Sequence, residues 1–281
     1  MGKNLYRRAL FCIIRIIRHT KLQNYLQFCK FFRTFVLKIF FFMTQHEFKQ
    51  LQKLHLKKYR DEFSLFVAEG DKCIGELSAA FEVVHLLTPA DTPLRDIQRL
   101  SSLRTPQGSL AVLRKPDYGA CPLPQSGTLY LALDEVQDPG NLGTIIRTAD
   151  WFGIRHIVCS RNTADCFSPK VVQATMGSLA RVRVYYTDLT AWLSSVRAAS
   201  PSLPVYGTLL DGADLYSPHA LPDRRSGVIV MGNEGNGLSP EVRRLLTCSL
   251  RIPSFPPDVP TCESLNVAIA TAIILAEFRR V

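Results

Sequence analysis

Six short apolar runs in the second half of the chain constrain its fold most. Leu129–Leu133, Ile154–Cys159, Val182–Tyr186, Val205–Leu209, Val228–Met231 and Ser249–Ile252 read as strands. Helical patterns fall among them at Asn141–Phe152, Ser168–Leu179, Leu189–Ala199 and Pro240–Leu246. Five or six strands alternating with helices imply a mostly parallel sheet covered on both faces. In the first helix, Leu142, Ile145, Ile146, Ala149 and Phe152 keep helical spacing, and Gly153 is placed to cap its C-terminus. The last strand leads through a proline-rich loop into an apolar helix. Leu265, Ala268, Ile269, Ala272, Ile273 and Ala276 form one apolar face of that helix, while Ile274 and Leu275 extend the apolarity around it. That fits a helix pinned in the core or against a second subunit.

A smaller α/β unit precedes this run. Phe48, Leu51, Leu54 and Leu56 indicate a short helix ending in Lys57–Arg60. Strands are expected at Phe63–Glu69, Glu82–Leu87 and Ser109–Leu113, with helices at Asp71–Phe81 and Asp91–Leu100. The stretch 114–127 is rich in Pro and Gly and reads as a linker. The expected organisation is therefore a small domain over 44–116, a linker over 117–126 and a larger domain over 127–281.

Residues 1–43 stand apart. They carry nine of the Lys and Arg, no Asp or Glu, and eight of the sixteen Phe. They supply nearly all of the formal net charge of +10, so the rest of the chain is close to neutral. Any nucleic acid must therefore bind a local patch. No uninterrupted apolar stretch here approaches the ~20 residues of a membrane-spanning helix. The segment reads as upstream sequence translated from a misplaced start rather than as a membrane-surface contact. The eight cysteines form no CxxC pair or zinc-spaced cluster, which excludes a zinc site and fits a reducing cytoplasm.

Three patches could carry chemistry. Asp138–Gly143 leads into the first helix, with Arg147 one turn beyond Gly143 on a shared face. Its bland reading is an N-cap by Asn141 and a solvated arginine. Gly232–Gly237 (GNEGNG) follows a strand, where ligands of open α/β sheets sit. Its glycines match neither the GxGxxG fingerprint nor a Walker loop, which counts against a nucleotide- or NAD-dependent enzyme. In Glu263–Asn266, Ser264 could be the N-cap of the last helix and Asn266 a surface residue of its first turn.

Taken together, in this order and at these intervals, the patches resemble the SpoU (TrmH-type) family of RNA 2′-O-ribose methyltransferases within the SPOUT superfamily. The family's motifs stand here as NLGTIIRTADWFG, IVMGNEGNGLS and IPSFPPDVPTCESLNVAIA, across residues 127–281. KKYRDEFSLFVAEGDKCIGEL and LRTPQGSLAVL are similar to the ribosomal-protein-like substrate-binding domain that many members carry.

The resemblance implies a Rossmann-like parallel sheet whose C-terminal part is tied in a trefoil knot. It also implies S-adenosylmethionine (SAM) as cofactor, no metal, and a homodimer. Cofactor contacts would come from Gly207, Thr208, Gly232, Glu234, Ile252 and Leu265. Catalysis would rest on Asn141, Arg147, Glu234, Ser264 and Asn266. The implied substrate is RNA, with ribosomal RNA ahead of tRNA. A catalytically silent RNA-binding relative is the alternative, and the presence of Arg147, Glu234, Ser264 and Asn266 counts against it. The chain departs from the family pattern in a lengthened loop with Pro253, Pro256, Pro257 and Pro260, and at Cys262.

Overall fold

The computed structural model describes residues 45–103, 106, 108–218, 220–256, 259 and 262–280. The basic Phe-rich segment 1–43, with the membrane contact weighed for it, lies outside the described residues. So do Pro257, Asp258, Pro260 and Thr261 of the proline-rich loop.

The first lobe contains α1 (Gln45–Leu51), a 3-10 turn (Gln52–His55), α2 (Lys57–Phe63), β1 (Leu65–Glu69), α3 (Asp71–Ser78), β2 (Val83–Leu87), α4 (Leu94–Leu100) and β3 (Leu110–Arg114). Its sheet runs β1–β3–β2 with both pairings antiparallel, Leu65 opposite Arg114 and Glu69 opposite Leu110. Central β3 is buried along Leu110–Leu113, as its unbroken apolar run requires. The fourth helix starts three residues later than its pattern indicated. Pro93 occupies its N-cap, and Asp91 is turned back onto Thr88.

The second lobe contains β4 (Leu129–Leu133), α5 (Pro139–Trp151), β5 (His156–Ser160), α6 (Pro169–Thr175), a 3-10 turn (Ser178–Ala180), β6 (Arg183–Thr187), α7 (Leu189–Ala199), β7 (Val205–Asp214), β8 (Gly227–Met231), α8 (Pro240–Arg243), β9 (Cys248–Arg251) and α9 (Val267–Phe278). Six parallel strands lie in the order β6–β5–β4–β8–β7–β9, confirming the expected parallel sheet. Leu129, Leu131 and Leu133 of β4 pack into one apolar layer, and Tyr130 and Ala132 into another, so both faces are covered. Gly153 does cap α5: at φ +71° it donates to Asp150 O, and Ile154 N reaches Ala149 O at 2.8 Å.

Three sequence expectations are corrected. The helix expected over Ser168–Leu179 stops at Thr175, because Met176 and Gly177 both turn left-handed, at φ 50° and 91°. A Cβ on Gly177 would meet Glu76 Cβ at 2.5 Å, so a glycine there lets this turn approach α3. The strand expected over Val205–Leu209 runs on to Asp214, with a register shift between Thr208 and Ala213. The buried residues of α9 are Val267, Ala268, Thr271, Ile274, Leu275, Glu277 and Phe278, whereas Ile269 and Ala276 of the expected face point outward.

Lys49–Val281 forms one compact unit. Phe66 and Phe81 of the first lobe meet Phe167 of the second, with ring centroids 4.8 and 6.4 Å away. Buried Arg60 donates to Asp165 Oδ2 through Nε and Nη2 at 2.9 and 2.7 Å, and through Nη1 to Leu54 O. Arg181 bonds both Glu76 and Asp150. Among the described residues no helix is long and apolar enough to cross a membrane.

Candidate active site

Beyond the carboxyl ends of β4 and β8 the sheet changes direction, the place where open α/β sheets collect ligands. The loop after β4 ends at Asp138, which is the N-cap of α5, with Pro139 as its first helical residue. The cap is thus Asp138 and not Asn141. The Asp138 carboxylate accepts from Asn141 N at 2.8 Å, and that bond holds its pKa below the ordinary value. With its backbone satisfied this way, Asn141 turns its side chain across the switch point.

Asn141 Nδ2 donates to Glu234 Oε1 at 2.9 Å, and Asn266 Nδ2 donates to Asn141 Oδ1 at 2.9 Å. Asn266 Oδ1 in turn accepts from Ala268 N and Ile269 N, which makes Asn266, rather than Ser264, the N-cap of α9. An ionised carboxylate only accepts, so the chain of bonds fixes which way each amide points. Asn141 therefore ties the N-termini of two helices and the glycine loop together.

The glycine loop is held from within. Asn233 N and O exchange bonds with Gly237 O and N, and Asn233 Oδ1 accepts from Gly235 N and Asn236 N. Asn233 Nδ2 reaches Glu135 O at 2.8 Å, where Glu135 sits at φ 59° in the left-handed region. Such backbone costs energy for a residue other than glycine. Ser160 Oγ accepts the Glu135 N–H, and Asn162 bonds its carboxylate. Buried Asp134 accepts from Ser239 N, closing the loop's far side. Gly232 has no room for a side chain: a Cβ would stand 2.4 Å from Gly237 C and 2.6 Å from Leu238 N. Sequence reading singled out Glu234 in this loop and missed Asn233, Asp134 and Glu135. An Asn directly after a glycine at the end of a strand is a turn-forming signal, and it points to Asn233.

The other expected residues are spread over several elements. Gly207 and Thr208 lie on β7, whose neighbours are β8 and β9. Gly207 is buried under Leu246, and Thr208 Oγ1 faces Val230 O at 3.4 Å. Ile252, half-buried, directly follows β9, and Leu265 is 45% exposed. Ser264 is exposed and bonds no described residue. Arg147 is exposed on α5, six residues or about 9 Å of rise beyond Asn141. It makes no ion pair or hydrogen bond among the described residues. Gly143 does not share its face, contrary to the spacing argument. It is buried, with a Cβ position only 2.4 Å from Ala174 Cβ of α6.

Comparison with known proteins decides the affiliation. Residues 128–276 match the model of the SpoU rRNA Methylase family, which spans more than half the chain. The chain belongs to this family. A 23S rRNA (guanosine(2553)-2′-O)-methyltransferase of Bacillus subtilis is 30% identical, over 82% of this chain and 95% of its own length. A mitochondrial rRNA methyltransferase 3A of Danio rerio is 33% identical over 66% of this chain, which spans 52% of that protein. Among solved structures, a TrmH-family protein of Porphyromonas gingivalis superposes with TM-score 0.74 at 42% identity, covering 85% of this chain and 98% of its own. An AdoMet-bound rRNA methyltransferase of Sinorhizobium meliloti gives 0.72 at 34%, covering 85% and 95%. As a SpoU-family member the chain is a SAM-dependent RNA methyltransferase.

The residues present suit that cofactor. The backbone of Gly232, Gly207 and Thr208, with the apolar surface of Ile252 and exposed Leu265, is a mixture of the kind that would hold an adenosine.

Proposed function

We propose that this SpoU-family chain methylates a ribose 2′-hydroxyl of ribosomal RNA at the rim defined by Asn141, Glu234 and Asn266, with Arg147 and Ser264 beside it. The single observation that carries the reading is the Asn141 bridge. It brings motifs 93 and 125 positions away in sequence into one hydrogen-bonded cluster.

SAM, when bound, supplies an electrophilic sulfonium methyl group, so the protein has to align a displacement and manage one proton. Gly207, Thr208, Gly232, Glu234, Ile252 and Leu265 are the groups that would hold it. Arg147 is a cation with no carboxylate partner among the described residues, free to grip the phosphate next to the acceptor ribose. A guanidinium keeps its proton in proteins, so Arg147 stabilises the alkoxide oxygen as it develops, while the hydroxyl proton passes to solvent water. Ser264 has the unengaged hydroxyl and orients the ribose. Asn266 has already spent its Oδ1 on the helix cap and one Nδ2 proton on Asn141. Its role is accordingly to hold Asn141 and the motif-three turn in place.

The strand order supports a knotted C-terminal part, since β8 is inserted between β4 and β7 although β7 precedes it in sequence. A homodimer is supported by apolar surface facing outward: Ile269 of α9 is 52% exposed and Trp151 of α5 is 85% exposed. The first lobe, over 44–116, would present RNA to this rim. Free thiols at Cys73, Cys159 and Cys166 favour action in the reducing cytoplasm.

Transfer of labelled methyl from SAM to total RNA, followed by mapping of alkali-resistant positions, tests the reading. Labelled 2′-O-methylribose in ribosomal RNA supports it; label confined to bases or to tRNA overturns it.

A further inference from the structure

A cleft of about 650 Å³ is lined by none of the residues of the Asn141 cluster. Its walls come from the edge strand β6, the start of α7, the stretch Lys115–Cys121 and α2 of the first lobe. The volume is that of a ligand site. Its lining is aromatic. The Tyr186 ring is 37% exposed, while its hydroxyl is fixed by accepting from Cys166 N at 2.7 Å and donating to Ala164 O at 2.6 Å. The ring is thus a platform whose polar end is already spent. Tyr118 and Tyr185 stand opposite with centroids 5.7 Å apart, and Arg183 covers the Tyr118 ring at 5.6 Å. Trp192 also lines the cleft, 7% exposed, and its indole N–H has no acceptor among the described residues.

Charge narrows the ligand. The two carboxylates in the lining are taken: Asp165 by buried Arg60, and Asp61 by Lys115. Lys57 has no carboxylate partner among the described residues and stands 6.0 Å over the Tyr186 ring. Lys53 and Lys58, exposed on the same stretch of the first lobe, likewise have none and lie over the Tyr59 ring. An anion bearing a flat π-system satisfies such a cleft. β6 is parallel to β8 and three strands from it, so the carboxyl ends of both face one rim, about 14 Å apart by strand spacing. One flexible RNA strand can span that separation.

We propose that this cleft receives an unpaired base of the RNA substrate, flanking the nucleotide that is methylated. The base stacks on Tyr186 or Tyr118, and Lys57 with its neighbouring lysines holds the adjoining phosphates. The inference rests on the RNA methyltransferase reading and adds a second point of attachment, which lets the enzyme choose among sites by what lies beside the acceptor.

The experiment has two arms, both on the full chain. In the first, Tyr118→Ala and Lys57→Ala are assayed for methyl transfer to ribosomal RNA. Tyr118→Ala is expected to raise KM for RNA roughly 5- to 150-fold, with kcat and SAM affinity unchanged. Lys57→Ala is expected to lower the slope of log KM against log salt by about 0.7. Unchanged KM in both variants overturns the proposal. In the second arm, a 5-iodouridine-substituted octauridylate is photocrosslinked to the wild type and the adduct mapped by mass spectrometry. Adducts on Tyr118, Tyr186 or Trp192 support the proposal, and adducts only elsewhere overturn it. Equally efficient labelling by 5-iodouridine monophosphate would show a free-nucleotide site and overturn it too. If the wild type transfers no methyl group at all, the methyltransferase reading falls, and the crosslink alone then judges the cleft.

Discussion

Asn141 and Glu234 lie 93 positions apart in sequence, yet Asn141 Nδ2 donates to Glu234 Oε1 across 2.9 Å. The bond joins the first turn of α5 to the glycine loop after β8, across the point where the sheet changes direction. Asn266 completes it from the start of α9. A change at any one of the three residues therefore disturbs elements that come from three separate parts of the chain.

Asn141→Asp tests this directly. The variant keeps the size of the side chain and the Asp138 cap, but sets a second carboxylate against Glu234. Loss of one hydrogen bond to a charged group predicts a fall in methyl transfer of about 10- to 100-fold. Thermal melting is expected to move only slightly, because the α5 cap is untouched. Full activity would show that the bridge is incidental.

Gly232→Ala addresses the loop itself. The added Cβ meets backbone at 2.4–2.6 Å, which no side-chain rotation relieves. A stability loss of about 1–3 kcal/mol is expected, as for overpacking elsewhere. SAM affinity, measured by calorimetry, should fall at least about tenfold, by the loss of one well-placed contact. Unaltered SAM affinity would remove Gly232 from the cofactor site.

Much of this architecture can be read from residues alone, and the exceptions are instructive. The strands β4, β5, β6 and β8 are apolar runs with helical patterns around them, so their parallel pairing follows from composition and order. The apolar face of α9 does not follow, because VAIATAIILA is apolar on nearly every side and its periodicity names no direction. Packing against α5 and the sheet makes that choice. The Asn141 and Ser264 cap assignments failed for a related reason: Asp138, Asn141, Ser264 and Asn266 are all good cappers, and only backbone geometry selects between neighbours. Gly143 reads as an ordinary helix residue until Ala174 of α6 is placed against it. Motif order singled out Asn141, Glu234 and Asn266, which the structure joins by hydrogen bonds. Its wiring through Asn233, Glu135 and Asn266 required three-dimensional proximity.

The contact between the lobes yields a stability prediction. Arg60 and Asp165 are both nearly buried, and removing one leaves the other charge without a partner. Arg60→Met should cost about 3–5 kcal/mol, measured by urea unfolding. The double variant Arg60→Met, Asp165→Leu should recover most of that loss. No recovery would mean that Arg60 acts chiefly through Leu54 O.

His156 sets a pH dependence. It is stacked between Tyr130 and Tyr185, with centroids at 4.6 and 5.9 Å, and its Nδ1 is buried without a partner. Burial, aided by the charge of Arg183, holds its pKa below the ordinary value. The unfolded chain takes up the proton near pH ~6.5, whereas the folded chain takes it up only at lower pH. The unfolded state therefore binds more protons in that window, and stability falls as pH drops below about 6.5. His156→Phe should lose less melting temperature than wild type between about pH 7.5 and 5.5. An identical loss in both proteins would exclude His156 as the source.

The most direct test of the central claim is single-turnover methyl transfer to ribosomal RNA by wild type, Arg147→Lys and Arg147→Ala, with ribose mapping of the product. The expected result is 2′-O-methylribose from the wild type. Arg147→Lys should fall about 10- to 100-fold, since an ammonium cannot reproduce the planar fork of donors, and Arg147→Ala should fall further, with SAM still bound by both. Near-full turnover by Arg147→Lys would contradict the role given to the guanidinium. Methyl groups on bases in place of ribose would contradict the reaction itself.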